Sequence, residues 1–149
     1  MLQTQPGVGE EIIVHYLTPP DAAFVRVDSP GILADRPADL LVQAKGGLIF
    51  IPDLSVLTNM QQKGLALLIA RRSEFAARVV VACPHPLSQL LAQAKLTQEL
   101  HDQLIHGVLE LPALQSRRED IPALAARVLE DAFARLLIPP RRFSEAALA

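Results

Sequence analysis

The chain has 149 residues, half of them hydrophobic, which is enough for one compact domain with a core and too apolar for a disordered tail. Fourteen basic residues against 16 acidic ones, for a formal charge of -2, give no general attraction for nucleic acid, and no basic patch stands out to supply a local one. The single cysteine, Cys83, excludes an internal disulfide, and no apolar run reaches the roughly 18 residues of a membrane span. Met1-Leu2 leads at once into Gln3-Thr4-Gln5-Pro6, without the basic and apolar regions of a signal peptide, so a cytoplasmic location is expected.

Met1 to Gln3 reads as a strand end. Pro6-Gly7-Val8-Gly9 follows as a turn, and Glu10 and Glu11 suit the first turn of a helix through Ile12-Ile13-Val14. Ala23-Phe24-Val25-Arg26-Val27 alternates as a strand does, and Asp28-Ser29-Pro30-Gly31 is a turn. A proline-interrupted link through Arg36-Pro37 then leads to one or two helical turns over Leu40 to Ala44. Gly46-Gly47 feeds the unbroken apolar run Leu48-Ile49-Phe50-Ile51, closed by Pro52-Asp53, the pattern of a parallel strand buried on both faces.

Leu57, Met60, Gly64, Leu67 and Leu68 recur at helical spacing, which predicts a helix over Thr58 to Arg72. Arg78 to Ala82 is β-branched and bounded by Pro84 and Pro86, a second buried strand. Short helices are expected over Leu87 to Ala94 and Leu96 to Ile105, with a last strand over Val108 to Leu111. Beyond Arg117 the chain reads as helical, with Pro122 in a first turn and a stripe on Ile121, Leu124, Val128, Ala132 and Leu136; Phe143-Ser144-Glu145 begins another helix. Strands alternating with helices predict an α/β fold, an open parallel sheet with helices on both faces.

The blocks from Gly46 to Asp53, Met60-Gln61-Gln62-Lys63, Val79 to Ala82 and Leu111 to Pro122 together resemble the AAA+ module of sigma-54-dependent transcription activators, the NtrC-like enhancer-binding proteins. The resemblance implies a P-loop NTPase fold, with an α/β subdomain over 1–116 and part of a helical lid over 117–149. Phe143 to Leu148 is similar to the helix opening the second half of that lid, and the chain reads as an excised or shortened form of a regulator of the response-regulator, two-component type.

The family's phosphate loop, Gly-x-x-Gly-x-Gly-Lys-Glu, falls on residues Thr4 to Glu11. Gly7 and Gly9 match and Glu10 stands where the phosphate-holding lysine is expected. The magnesium-binding aspartate falls on Pro52, and Asp53 falls on the water-activating glutamate. The sensor residue falls near Cys83-Pro84, and the arginines that neighbouring subunits supply fall on Thr97 and Gln103. Between Ser29 and Gly46 the family carries a long segment with the GAFTGA loop that touches sigma-54, and the loop between Phe75 and Arg78 is also shortened here.

The resemblance therefore implies an altered nucleotide site at Gly7, Val8, Gly9, Glu10, Glu11 and Asp53, with no catalytic residue and no metal ligand. ATP and magnesium would enter only if that site still binds. The function read from it is a non-catalytic interaction module of transcription regulation. Its partners would be other domains of the same regulator or a second copy; sigma-54 contact is doubtful because the GAFTGA loop is missing, and no DNA contact from this fragment and no membrane are expected. The alternative is a weak ATP-binding or ATP-hydrolysing domain with unorthodox ligands. Plainer readings stand beside these: Gly7-Val8-Gly9 as a simple turn, Asp53 as a cap, Cys83 as core filler, and His15, His85, His101 and His106 without metal spacing.

Overall fold

The computed structural model describes residues 1–4, 10–137 and 139. The chain divides into two compact units, Met1–Leu111 and Pro112–Ala149. The first holds five strands, β1 (Leu2–Gln3), β2 (Phe24–Arg26), β3 (Leu48–Ile51), β4 (Arg78–Cys83) and β5 (Leu109–Glu110), in the order β2-β3-β4-β1-β5. All four pairings are parallel. The crossovers carry α1 (Glu10–Tyr16), α2 (Gly31–Asp35), α3 (Pro37–Gln43), α4 (Asn59–Arg71), α5 (Leu87–Ala92) and α6 (Gln98–Leu104).

Strand β3 is buried along its whole length, as its unbroken apolar run requires. Because side chains alternate along a strand, Ile49 and Ile51 enter one core with Leu33, Leu41, Leu65 and Leu100, while Leu48 and Phe50 enter another with Val14 of α1. The sheet thus separates two apolar layers, the open α/β arrangement that the alternation of elements predicts.

The glycine pair before β3 does two different jobs. Gly46 takes a left-handed turn with φ of +75°, which a side chain resists, and Gly47 lies so close to β2 that a Cβ would stand 2.0 Å from the Ala23 carbonyl oxygen. That approach sets the register, with the Leu48 N–H donating to the Ala23 carbonyl at 2.8 Å.

The segment between Ser29 and Gly46 differs from expectation. It is more than a link: α2 and α3 occupy most of it, separated by Arg36, whose backbone (φ -147°, ψ 61°) leaves the helical region before Pro37 restarts it. Its proline and glycine spacing reads as interruption, yet Leu33 of α2 is fully buried beneath α4, so packing overrides local propensity. The two helices meet through backbone. A Cβ on Gly64 would lie 1.7 Å from the Leu33 carbonyl oxygen.

Helix α4 opens with a capping box: the Thr58 hydroxyl accepts from the Gln61 N–H, and the Thr58 N–H donates to Gln61 Oε1 at 2.9 Å. Of the apolar stripe expected on it, Leu57, Gly64 and Leu68 are buried while Met60 and Leu67 face solvent. In their place Gln62, only 1% exposed, turns inward. Its Nε2 donates to the Leu57 and Lys95 carbonyls at 3.1 and 2.8 Å, and its Oε1 accepts from the Thr97 N–H at 2.9 Å. The amide fastens α4 to the turn between α5 and α6.

The second unit holds two short 3-10 turns, Leu114–Ser116 and Arg118–Asp120, followed by helix α7 (Ile121–Leu136) with Pro122 in its first turn. The stripe expected on α7 is rotated. Ile121, Val128 and Leu136 are exposed, whereas Leu124, Ala125, Leu129, Ala132 and Phe133 are half-buried. The helix expected from Phe143 lies outside the described residues. No helix among the described residues is long and apolar enough to cross a membrane.

Two substitutions test this packing. Gly64→Ala forces a methyl group into the Leu33 backbone and is expected to destabilise the fold by about 3 kcal/mol or more in urea unfolding. Gln62→Leu keeps the volume but strands two carbonyls and one N–H, and should cost about 2–3 kcal/mol; a neutral result would mean that those groups find other partners.

Candidate functional site

In an open parallel sheet, ligands meet the chain where the strands end and the loops splay apart. At this carboxyl edge β1 delivers Thr4, β3 delivers Pro52 and Asp53, and β4 delivers Cys83 and Pro84. Thr4 is buried, and its N–H donates to the Cys83 carbonyl at 2.9 Å, so the exit of β1 is pinned to that of β4. The Leu54 N–H donates to the Ala82 carbonyl at 2.9 Å, which pins the exit of β3 to the same strand. Of the expected site residues, Gly7, Val8 and Gly9 lie outside the described residues.

Glu10 and Glu11 occupy the first turn of α1, half-buried, where the unpaired N–H groups favour negative charge. The Glu11 carboxylate is held by Arg26 Nη1 at 3.1 and 3.3 Å, and Arg26 Nε lies 3.0 Å from Asp28 Oδ1. One guanidinium at the end of β2 therefore bridges two carboxylates from different segments. Asp53 is engaged otherwise: its Oδ1 accepts from the Ser55 N–H at 2.8 Å and from the Ser55 hydroxyl at 2.7 Å. This is the local side-chain turn that aspartate makes with the backbone two residues on.

Cys83 is fully buried. Burial pushes its thiol above the usual 9.0, the negative charge of Asp53 adds to the effect, and a backbone hydrogen bond at His85 acts in the opposite sense. The Thr97 N–H is taken by Gln62, and Gln103 is exposed on α6. His15 stacks on Phe24 with ring centroids 4.0 Å apart, and His101 Nδ1 lies 3.0 Å from Asp102 Oδ1. Among the described residues no group of three or more histidine, cysteine or acidic side chains is placed to hold a metal ion.

Arg26 and Ser55 belong to this edge without being singled out from sequence, as does Thr4 beyond its place as the first position of the phosphate loop. Two of them carry a readable signal: a charged residue closing an alternating strand for Arg26, and the Asp-x-Ser spacing for Ser55. Because the folded state holds the Cys83 proton above the usual pKa, stability should fall as pH climbs from that usual value toward the folded one. Alkylation at about pH 8 should accordingly be at least about tenfold slower in the native chain than in denaturant; equal rates would contradict the burial.

A family model described as the sigma-54 interaction domain matches residues 1–114. The transcriptional regulatory protein ZraR of Escherichia coli (strain K12) is 28% identical over 99 residues, 60% of this chain and 22% of ZraR; the Salmonella typhimurium ZraR matches at 28% over 98 residues. The chain thus spans about a fifth of the length of these curated relatives (22%).

Among solved structures, NtrX from Brucella abortus in complex with ATP superposes with a TM-score of 0.70 at 19% identity, over 99% of this chain and 39% of NtrX. The P-loop NTPase domain of a sigma-54 transport activator from E. coli gives 0.57 at 22% identity, over 76% of this chain and 82% of that domain. These likenesses establish the P-loop NTPase fold of the AAA+ type. With the family model covering most of its length, the chain belongs to the sigma-54 interaction domain family, the AAA+ module of sigma-54-dependent activators.

Proposed function

We propose that this chain is a non-catalytic AAA+ interaction module of transcription regulation. The observation that carries the reading is the end of β3. Pro52, standing where the family's metal carboxylate is expected, offers neither carboxylate nor amide hydrogen, and the Asp53 carboxylate beside it accepts the Ser55 N–H and the Ser55 hydroxyl on its Oδ1. That donor set does not fit a magnesium triphosphate.

The opening of α1 supports the same reading. Glu10 stands in the place of the phosphate-holding lysine. At about 4 Å and an effective dielectric near 20, a single charge contact amounts to about 4 kcal/mol before solvation, so the reversed sign works strongly against phosphate. Glu11 is occupied by Arg26. Thr97 and Gln103, at the positions of the trans-acting arginines, have no charge to set against a transition state, and α2 and α3 fill the segment where the sigma-54-touching loop is expected. The partners that fit are neighbouring domains of the same regulator or a second copy of this chain.

Calorimetric titration with magnesium ATP and ADP tests the proposal. We expect no saturable heat and no rise in melting temperature, whereas a chain that binds would gain about 2.7 kcal/mol at a hundredfold excess over Kd. Glu10→Lys should recover a ligand-dependent rise if charge is the main obstacle. Saturable binding by the unaltered chain, with magnesium-dependent turnover abolished in Asp53→Ala, would replace this reading with that of a weak ATPase.

A further inference from the structure

Three segments of the first unit meet on the side-chain amide of Gln62. Its Nε2 donates to the Leu57 carbonyl in the loop that leaves β3 and to the Lys95 carbonyl in the turn between α5 and α6, while its Oε1 accepts from the Thr97 N–H at the start of α6. Thr97 makes no side-chain cap of its own, so α6 takes its anchor at that end from α4. Leu57 lies two residues beyond Ser55, the partner of Asp53.

The turn held in this way is strained. Ala94 adopts a left-handed backbone with φ of +54°, which an L side chain resists. Two hydrogen bonds close the turn around it, from the Ala94 N–H to the Leu91 carbonyl at 3.0 Å and from the Lys95 N–H to the Leu90 carbonyl at 2.9 Å. Ala94 is exposed, so packing of its methyl group does little to offset the cost. The other left-handed alanine, Ala76, leads within two residues into β4, whose sheet partners fix it. Ala94 leads instead into a seven-residue helix that no strand pairs with. Strained backbone persists where its surroundings over-determine it, and here the surroundings are buried Leu90 and Leu96 together with the Gln62 amide.

We infer that Gln62 is a latch on a strained hinge. Its amide holds the α5–α6 turn and the start of α6 in register with the loop that leaves β3; when that loop shifts, the latch opens, Ala94 leaves the left-handed region and α6 moves with the turn. Because one Nε2 group serves both carbonyls, Leu57 and Lys95 are positioned together. The device links the edge where β3 ends to α6, and it operates whether or not that edge takes nucleotide.

Native-state hydrogen exchange of the whole chain tests the latch. In Gln62→Leu, exchange at the Ala94, Lys95 and His101 amides should accelerate by at least about tenfold more than at Val27 and Leu48, whose amides join the ends of β2 to β3. Ala94→Gly should raise the melting temperature by about 3 °C and slow the opening that Gln62→Leu permits. Ser55→Ala should move the amide resonances of Lys95 and Thr97 in the parent chain and leave them in place in Gln62→Leu. Uniform acceleration across both sets of amides, a melting temperature that Ala94→Gly leaves unchanged or lowers, or a Ser55→Ala effect that is absent from the parent or survives the loss of Gln62 overturns the latch. If Gln62→Leu fails to fold, Ala94→Gly in the otherwise unaltered chain still decides, since a relaxed turn gains nothing from glycine.

Discussion

The structure depends on the double confinement of β3. Apolar layers press on both its faces and parallel neighbours hydrogen-bond both its edges, so the direction in which the chain leaves Ile51 is not free. Whatever follows is delivered to the carboxyl edge of the sheet. In a P-loop NTPase that delivery serves catalysis, because the residues delivered are acids. Here the same rigid delivery presents a proline and then an aspartate, one of whose two carboxylate oxygens accepts from the next turn.

Confinement of this kind needs close backbone approach, and two glycines provide it on opposite sides of the larger core. Gly47 lets β3 lie against β2, and Gly64 lets α4 lie against α2, each where a methyl group would collide with a carbonyl. The buried amide of Gln62 then fixes α4 to the α5–α6 turn, with three hydrogen bonds leaving no part of it unpartnered. Gly47, Gly64 and Gln62, which hold the layers together, lie apart from Pro52 and Asp53 at the end of β3, so that end is able to change while the fold persists.

Much of this was legible in the sequence. Unbroken apolar runs marked β3 and β4, and helical spacing marked α4, because burial on two faces or on one stripe leaves a periodic trace. The strand-to-helix setting of Glu10 and Glu11 was equally plain. Three features left no such trace. Helix α2 is short and bracketed by turn residues, and is held by the burial of Leu33 rather than by propensity; Gln62 reads as surface until its distant partners at Lys95 and Thr97 are known; and the half-buried face of α7 includes Leu129 and Phe133, outside the stripe read from spacing. Asp53 was readable as either a cap or a catalytic acid. Its observed partner is Ser55, two residues on, in a local turn, while the helix that follows is capped by Thr58.

The charge at the carboxyl edge follows from the same separation. Glu11, Arg26 and Asp28 form a small ion network across α1 and β2, and the Asp53 charge reaches Cys83 at the end of β4. The most direct measurement of whether this edge has given up its metal is paramagnetic broadening of backbone amide signals by manganese in the presence of ATP. The account predicts that the amides of Asp53, Leu54 and Ser55 broaden no more than those of α6. Selective broadening of those three amides, saturating with ATP, would contradict it.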